Sequence, residues 1–372
     1  MSVDETHTTT AAAPFAHPLE EGWTLPAAWY SDPAVAALER GRVFEGSWHY
    51  AGPLEWAAEP GCFFATQAGY LPIAVVRGSD GELRGFVNVC RHRGHLVVQD
   101  KGCRETLQCP YHAWTYGLDG SLRKAPRSER EQGFDADLFS LLPVSVGTWG
   151  PFVFVNSDPE ATPLAEALGR LPALVAESGV DLDAIRFHTH YDWPIESNWK
   201  IAIENYLECY HCPTAHPGFS KLIDVDPDAY MLESGEWFSS QVGRVRASVA
   251  DGNGSAPYRL DGRSHEAHFH YVWPTFTINV LPGPANLTAF FFVPLDAGRT
   301  MTIADAFYGD DATEDDIRAM EEFGTQVGLE DQALVESIQR AARSGGLTEG
   351  RLLLESEHLI QHFQRLVERA LR

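Results

Sequence analysis

The rhythm of apolar and polar positions changes twice along the chain. Asp32 and Pro33 read as the N-cap and first turn of a helix, and apolar Val35, Leu38 and Val43 carry it toward Gly46. From 48 to 155 the period shortens. Apolar, β-branched runs at 70–77 and 82–89 flank Gly78-Ser79-Asp80-Gly81, which predicts a hairpin. Leu118-Asp119-Gly120-Ser121 is a further turn, and 151–159 reads as a strand running into a turn. This stretch is expected to be a small all-β unit. After 160 the two rhythms mix. Helices are predicted at 161–177 and at 197–212, the latter with Ser197 as cap. A strand is predicted at 186–194, with others inside 229–249, 268–281, 287–294 and 300–308. Thr313 opens a long helix to 343, and 355–371 forms a last amphipathic one.

Composition narrows the class. With 372 residues there is room for two domains, and 44% hydrophobic with 22% charged residues is ordinary for a globular protein. The net charge of −24 argues against nucleic acid and against an anionic membrane surface, and suits a basic redox partner. The N-terminal Thr/Ala run has neither a basic start nor a leader-length apolar run. The most apolar stretch, 141–155, is interrupted by Gly and Pro and is too short to span a bilayer. A cytoplasmic protein is expected. In a reducing compartment the six cysteines, at 62, 90, 103, 109, 209 and 212, are not expected to form disulfides. Cys62 and Cys103 read as buried small apolar residues.

Two loops stand out chemically. Cys90-Arg91-His92 and Cys109-Pro110-Tyr111-His112 lie sixteen residues apart, each offering one thiolate and one imidazole. Two Cys and two His suit a [2Fe–2S] centre in which the thiolates hold one iron and the imidazoles the other. They equally make a structural zinc set.

A second set lies further on. His211 and His216 are five residues apart, so on a regular helix they face different ways. The helix must end or loosen between them, and Pro213 supplies a reason. Two histidines and a carboxylate on one face of a metal are what a non-haem Fe(II) oxygenase needs. The acid is sought on the helix 313–343, whose apolar stripe comprises Met320, Phe323, Val327, Leu334 and Ile338. Asp331 falls roughly 50° to one side of that stripe's centre and Glu330 about as far to the other. Periodicity does not choose between them.

Both sets resemble known motifs. Cys90-Arg91-His92-Arg93-Gly94 with Cys109-Pro110-Tyr111-His112-Ala113-Trp114 is similar to the cluster loops of Rieske non-haem iron oxygenases, the aromatic-ring-hydroxylating alpha subunits. Asn198-Trp199-Lys200, the carboxylate Glu208 with His211 and His216, and the run 330–339 resemble that family's catalytic region. The resemblance implies an α+β fold: a Rieske domain at 45–155 and a helix-grip, START-like catalytic domain with an antiparallel sheet, built from 1–44 and 156–372. It implies that Cys90, His92, Cys109 and His112 hold a [2Fe–2S] cluster. It also implies that His211, His216 and Asp331 hold Fe(II), and that Glu208, Asp in most of the family, links His211 to His112 of a neighbouring subunit in a homotrimer.

Glu208, the Cys-flanked His211 and the stretches 273–274 and 281–284 further resemble the branch acting on choline, glycine betaine, carnitine and proline betaine. The implied activity is that of an oxygenase component fed with NAD(P)H electrons by a separate flavin/iron–sulfur reductase. With O2 it hydroxylates or oxidatively N-demethylates a small quaternary ammonium substrate. Hydroxylation or dihydroxylation of an aromatic substrate is the alternative at the same iron. A Rieske electron carrier without oxygenase activity, or a zinc-bound interaction protein, are the alternatives of other classes. Trp193, Tyr206, Tyr210, Tyr271, Trp273 and Phe276 are candidates to bracket a cation. Cys209-X-X-Cys212 has the spacing of a thioredoxin-like motif but no βαβ context, and is read as packing near the iron; His358 and His362 are read as solvated or capping, and His268 and His270 as strand polar positions rather than active-site lining.

Overall fold

The computed structural model describes residues 14–372 except Asn253; the N-terminal Thr/Ala run lies outside the described residues. Among the described residues two 3-10 turns, Leu19–Glu21 and Ala27–Tyr30, precede the first α-helix, α1 (Pro33–Glu39), which is capped by the Asp32 side chain on the Ala34 N–H and prolonged by one π-turn to Phe44. Ten strands follow: β1 (His49–Pro53), β2 (Cys62–Ala68), β3 (Leu71–Arg77), β4 (Leu83–Val87), β5 (Lys101–Cys103), β6 (Leu107–Gln108), β7 (Thr115–Tyr116), β8 (Leu122–Lys124), β9 (Pro143–Trp149) and β10 (Phe152–Asn156). Seven make one sheet in the order β1-β10-β9-β4-β3-β2-β5, and β6-β7-β8 make a smaller one. The predicted hairpin is β3–β4, with Arg77 opposite Leu83.

The region expected to be one helix at 161–177 is two, α2 (Leu164–Leu168) and α3 (Leu171–Glu177), because the chain turns at Gly169. A second seven-stranded antiparallel sheet then forms: β11 (Arg186–Ile195), β12 (Met231–Ser234), β13 (Phe238–Arg244), β14 (Glu266–Val272), β15 (Phe276–Val280), β16 (Asn286–Asp296) and β17 (Arg299–Tyr308), in the order β11-β17-β16-β15-β14-β13-β12. Between β11 and β12 lie α4 (Trp199–Tyr206), α5 (Cys212–Ala215) and α6 (Pro217–Leu222). The short α7 (Ala247–Ala250) follows β13, and α8 (Glu314–Ser344) and α9 (Leu354–Leu371) close the chain.

The second sheet has two buried faces. On one, Val272, Phe276, Ile278, Val280 and Phe291 pack with Tyr50, Phe152 and Phe154 of the first sheet and with Leu171 and Val175 of α3. The Tyr50 hydroxyl reaches across to Asp305 at 2.6 Å. On the other, the Tyr206 hydroxyl of α4 lies within hydrogen-bond distance of the His270 and Ile278 carbonyls and of Asn279 Oδ1, the shortest contact being to Asn279 at 2.8 Å. Gln241 donates to the Tyr206 carbonyl. The helical layer α4, α8 and α9 thus lies over the second face, with Asp331 on α8 and the His211–His216 segment, α5, following α4. None of the helices among the described residues is long and apolar enough to cross a membrane.

Two expectations about cysteine fail. Cys62 stands directly opposite Cys103 in the β2–β5 pairing, and the two form a disulfide, with Cys103 exposed rather than buried. Cys209 and Cys212 are brought together by the turn in which the Cys212 N–H bonds the Cys209 carbonyl, and they are also disulfide-linked. Sequence spacing carried no sign of the cross-strand register that pairs Cys62 with Cys103, whereas Cys209-X-X-Cys212 had a redox-motif spacing that its context argued against.

Candidate metal centres

The two Cys/His loops have the same backbone plan. Each cysteine N–H bonds the carbonyl five residues on (His95 and Trp114), and each cysteine carbonyl accepts from the N–H four residues on (Gly94 and Ala113). Both of those fourth positions are left-handed, Gly94 at φ 78° and Ala113 at φ 58°. Glycine takes that conformation freely; alanine does so at a cost of roughly 1–2 kcal/mol. Such turns gather N–H groups on one side of the loop, and those of Tyr111 and His112 point at the Cys109 sulfur.

Cys90 and Cys109 are both buried and free of disulfides, while His92 and His112 are exposed, their rings 4.6 Å apart. Trp114 stacks on His92 with ring centres 5.0 Å apart. The Tyr116 hydroxyl accepts from the Arg91 N–H and lies 3.3 Å from the Cys90 sulfur, to which it donates when that sulfur is a thiolate. Burial pushes the Cys109 thiol up while the two loop N–H groups pull it down. Thiolates inside, imidazoles outside and donors aimed at sulfur form a donor set suited to a [2Fe–2S] cluster with its histidine iron at the surface.

At the second set the chain departs from the expected helix 197–212. Asn198, not Ser197, caps α4, accepting from the Lys200 N–H; Ser197 is buried and bonds the Val335 carbonyl. The helix stops at Tyr206, well before Pro213, which instead sits in the first turn of α5. His211 is the residue before α5 and His216 the one after it. This broken path lets the two rings converge despite their spacing. Their Nε2 atoms lie 3.0 Å apart, and Asp331 Oδ1 is 2.9 Å from His216 Nε2 and 3.5 Å from His211 Nε2. All three donor atoms fall within 4.8 Å of one another.

The surroundings fix each ring. His211 Nδ1 bonds the Glu208 carboxylate, whose other oxygen accepts from the Tyr210 and His211 N–H groups. His216 Nδ1 bonds Glu330 at 2.8 Å, and Asn205 donates to Asp331 at 2.7 Å. Burial opposes charge on His211, yet Asp331 and Glu208 outweigh it and hold the ring up at about 9. Burial likewise pushes Asp331 up, but His211, His216 and Asn205 bring it down to about 2. Two imidazoles whose outer nitrogens are held, and whose inner nitrogens crowd one carboxylate oxygen, form a facial 2-His-1-carboxylate donor set for a divalent metal.

Periodicity left Glu330 and Asp331 equivalent at the edge of a stripe. The structure draws that face differently. Along α8 the inward line is Ile317, Met320, Val327, Asp331, Val335 and Gln339, while Ile338, taken as core, is 50% exposed. Gln339 is buried because it accepts from the Asn198 N–H and donates to the Tyr30 carbonyl. Hydropathy cannot see such a polar core position, so the stripe's centre was misplaced.

The six candidate aromatics do not form one cage. Tyr271 and Trp273 pack on Phe363, Trp193 borders the same cluster, Phe276 lies on the opposite face of the sheet, and Tyr210 is 60% exposed. Tyr206 remains beside the metal loop. Phe219 and Phe269, which pack on each other, and Tyr230, whose hydroxyl feels Glu208, were missed. His268 and His270 share the face of Val280 and Ile278, turned away from α4, as strand polar positions. Among the described residues His358 and His362 acquire no third ligand.

Comparison with known proteins agrees with this chemistry. Residues 48–144 match the Rieske [2Fe-2S] domain family, and 182–372 match the ring hydroxylating alpha subunit (catalytic domain) family. The carnitine monooxygenase oxygenase subunit of Escherichia coli (strain K12) is 33% identical over 94% of each chain. The chloroplastic choline monooxygenase of Amaranthus tricolor is 32% identical over 93% of this chain and 77% of its own. The crystal structure of the quaternary ammonium Rieske monooxygenase CntA with L-carnitine superposes with a TM-score of 0.83, at 29% identity over 96% of this chain and all of that one. The chain belongs to the Rieske non-haem iron oxygenases, enzymes that combine a [2Fe–2S] cluster with a mononuclear catalytic iron.

Proposed function

We propose that this chain is the oxygenase subunit of a monooxygenase acting on a small quaternary ammonium or betaine-type compound, with N-demethylation as the net reaction. The observation that carries the reading is the convergence of His211, His216 and Asp331 within 4.8 Å. In this reading those three hold the mononuclear iron, and Cys90, Cys109, His92 and His112 hold the cluster. Residues 45–155 form the cluster domain, and 1–44 with 156–372 the catalytic one. Bound there, the cluster relays single electrons from a reductase and the iron activates O2.

The chain's own residues orient and select. Glu208 keeps Nδ1 of His211 occupied, so that its Nε2 faces the metal. A further carboxylate, Glu357 on α9, comes close enough to Glu208 and His211 to interact with both; burial raises it first, and Glu208 adds to that. Acids on this side and the rings of Tyr206, Phe219, Phe269 and Tyr230 suit a methylammonium group. Hydroxylating an N-methyl carbon gives a hemiaminal, which loses formaldehyde. The relatives named for carnitine and choline support this substrate class.

A homotrimer completes the reading. Tyr111, whose ring lies 3.8 Å from that of His112, is exposed, and so are Tyr210, next to His211, and Leu329, next to Glu330. In a ring, the cluster side of one protomer covers the iron side of the next, and Glu208 bridges His211 to the partner's cluster. The test is a panel of methylammonium compounds with a surrogate reductase, scoring oxygen uptake and formaldehyde together. Formaldehyde in step with oxygen from at least one compound is expected. Oxygen uptake with aromatic compounds only, and no formaldehyde from any amine, contradicts the proposal.

A further inference from the structure

We propose that Glu330 is a positioning residue for the mononuclear metal: it holds the His216 ring so that Nε2, and not Nδ1, meets the metal. The proposal rests on the reading of His211, His216 and Asp331 as the ligands. It adds a residue that the two-histidine, one-acid motif does not contain.

The geometry is specific. Glu330 and Asp331 are consecutive on α8, so their side chains diverge by about 100°. They nevertheless meet opposite edges of a single imidazole. Glu330 Oε2 lies 2.8 Å from His216 Nδ1, and Asp331 Oδ1 lies 2.9 Å from His216 Nε2. The ring, 2% exposed, is held between two successive acids of one helix.

The free oxygen of Glu330 is not idle. Gln326, one turn earlier on α8, donates to Oε1 at 2.7 Å. With both oxygens engaged the carboxylate has a fixed orientation, and a fixed carboxylate fixes the ring. A carboxylate only accepts, so it requires the proton on Nδ1 and leaves the lone pair on Nε2. Partners of this kind are worth about 10- to 100-fold in metal affinity.

The arrangement also differs from its counterpart on His211. Glu208 belongs to the loop that precedes α5, and its second oxygen is bonded to that loop's own backbone. Glu330 belongs to the helix that also supplies Asp331. A movement of α8 therefore carries a ligand and the support of another ligand together, whereas a movement of the loop carries only His211 and its own support.

The experiment uses full-length protein with its cluster intact and the mononuclear site emptied by a chelator. Co(II) is titrated in, and both its dissociation constant and its EPR signal are read. The oxidised cluster has no EPR signal of its own, and its visible absorption reports that each variant is folded. Glu330→Ala is expected to weaken Co(II) binding by about 10- to 100-fold and to change the EPR signal. Glu330→Gln, whose amide oxygen still accepts from Nδ1–H, is expected to stay within about 3-fold of the parent. Glu330→Met, which fills the space without an acceptor, replaces the alanine variant if that protein does not fold, and the same loss is expected. Parent-like affinity and EPR in Glu330→Ala, while Asp331→Ala loses the metal, overturns this role and leaves the ligand reading intact. Retention of the metal by Asp331→Ala overturns the ligand reading and this role with it.

Discussion

Single polar atoms do most of the work at both centres. Tyr116 is the clearest case in the cluster loops. Its hydroxyl takes the Arg91 N–H and, toward a thiolate at Cys90, gives its own proton to the sulfur 3.3 Å away. A donor on a cluster sulfur favours the reduced, more negative state, so removing it lowers the potential. A hydrogen bond worth about 1 kcal/mol corresponds to roughly 50 mV for one electron. Tyr116→Phe is therefore expected to lower the cluster potential by about that amount, read by voltammetry, with the visible spectrum kept. An unchanged potential would show that the hydroxyl does not act on the cluster. At this scale the sequence was informative about the candidate ligands and silent about their supports. Cys90, His92, Cys109 and His112 stand out by type and spacing, whereas His211 and His216 stand out by type and by the resemblance of the residues around them. Tyr116, Asn205 and Glu330 do not, because a tyrosine, an asparagine and a helix glutamate are ordinary residues until the fold aims them.

Elements determine where those atoms point. Most strands and the helix opened by Thr313 were legible, since alternation, turn residues and a capping box are local signals. What was not legible is the end of α4 at Tyr206 and the buried polar line of α8, both set by contacts far along the chain. The ion pair between α1 and α4 is another such contact. Lys200 and Glu39 are each no more than 1% exposed and bond each other, with Trp199 also donating to Glu39. Removing one partner leaves an uncompensated charge in the core, which costs about 3–5 kcal/mol. Lys200→Met is expected to lose that much in chemical denaturation, and adding Glu39→Gln is expected to restore part of it. If the double variant is no more stable than the single one, the pair is not coupled as drawn.

Across the whole molecule, three distant segments meet at one carboxyl. Glu204 on α4 accepts from Tyr30, before α1, at 2.7 Å and from Gln364 on α9 at 3.0 Å. Burial raises this carboxyl from 4.5 to about 7, although Tyr30, Gln364 and Lys200 each pull it down. Because the folded value lies above the unfolded one, the contribution to stability is complete below about pH 4.5. It is lost as pH rises toward 7, by up to about 3 kcal/mol. Glu204→Gln cannot titrate, so the parent should lose stability relative to it between pH 5 and 7.5; parallel curves would contradict this.

The largest claim is that one polypeptide carries two iron centres, and that Asp331 belongs to the second. Iron and acid-labile sulfide per chain, measured side by side in the parent and in Asp331→Ala, test it most directly. The account predicts about three irons and two sulfides in the parent, from a [2Fe–2S] cluster and one further iron, and the loss of one iron with no loss of sulfide in the variant. A parent without labile sulfide, or a variant that keeps all of its iron, contradicts the account.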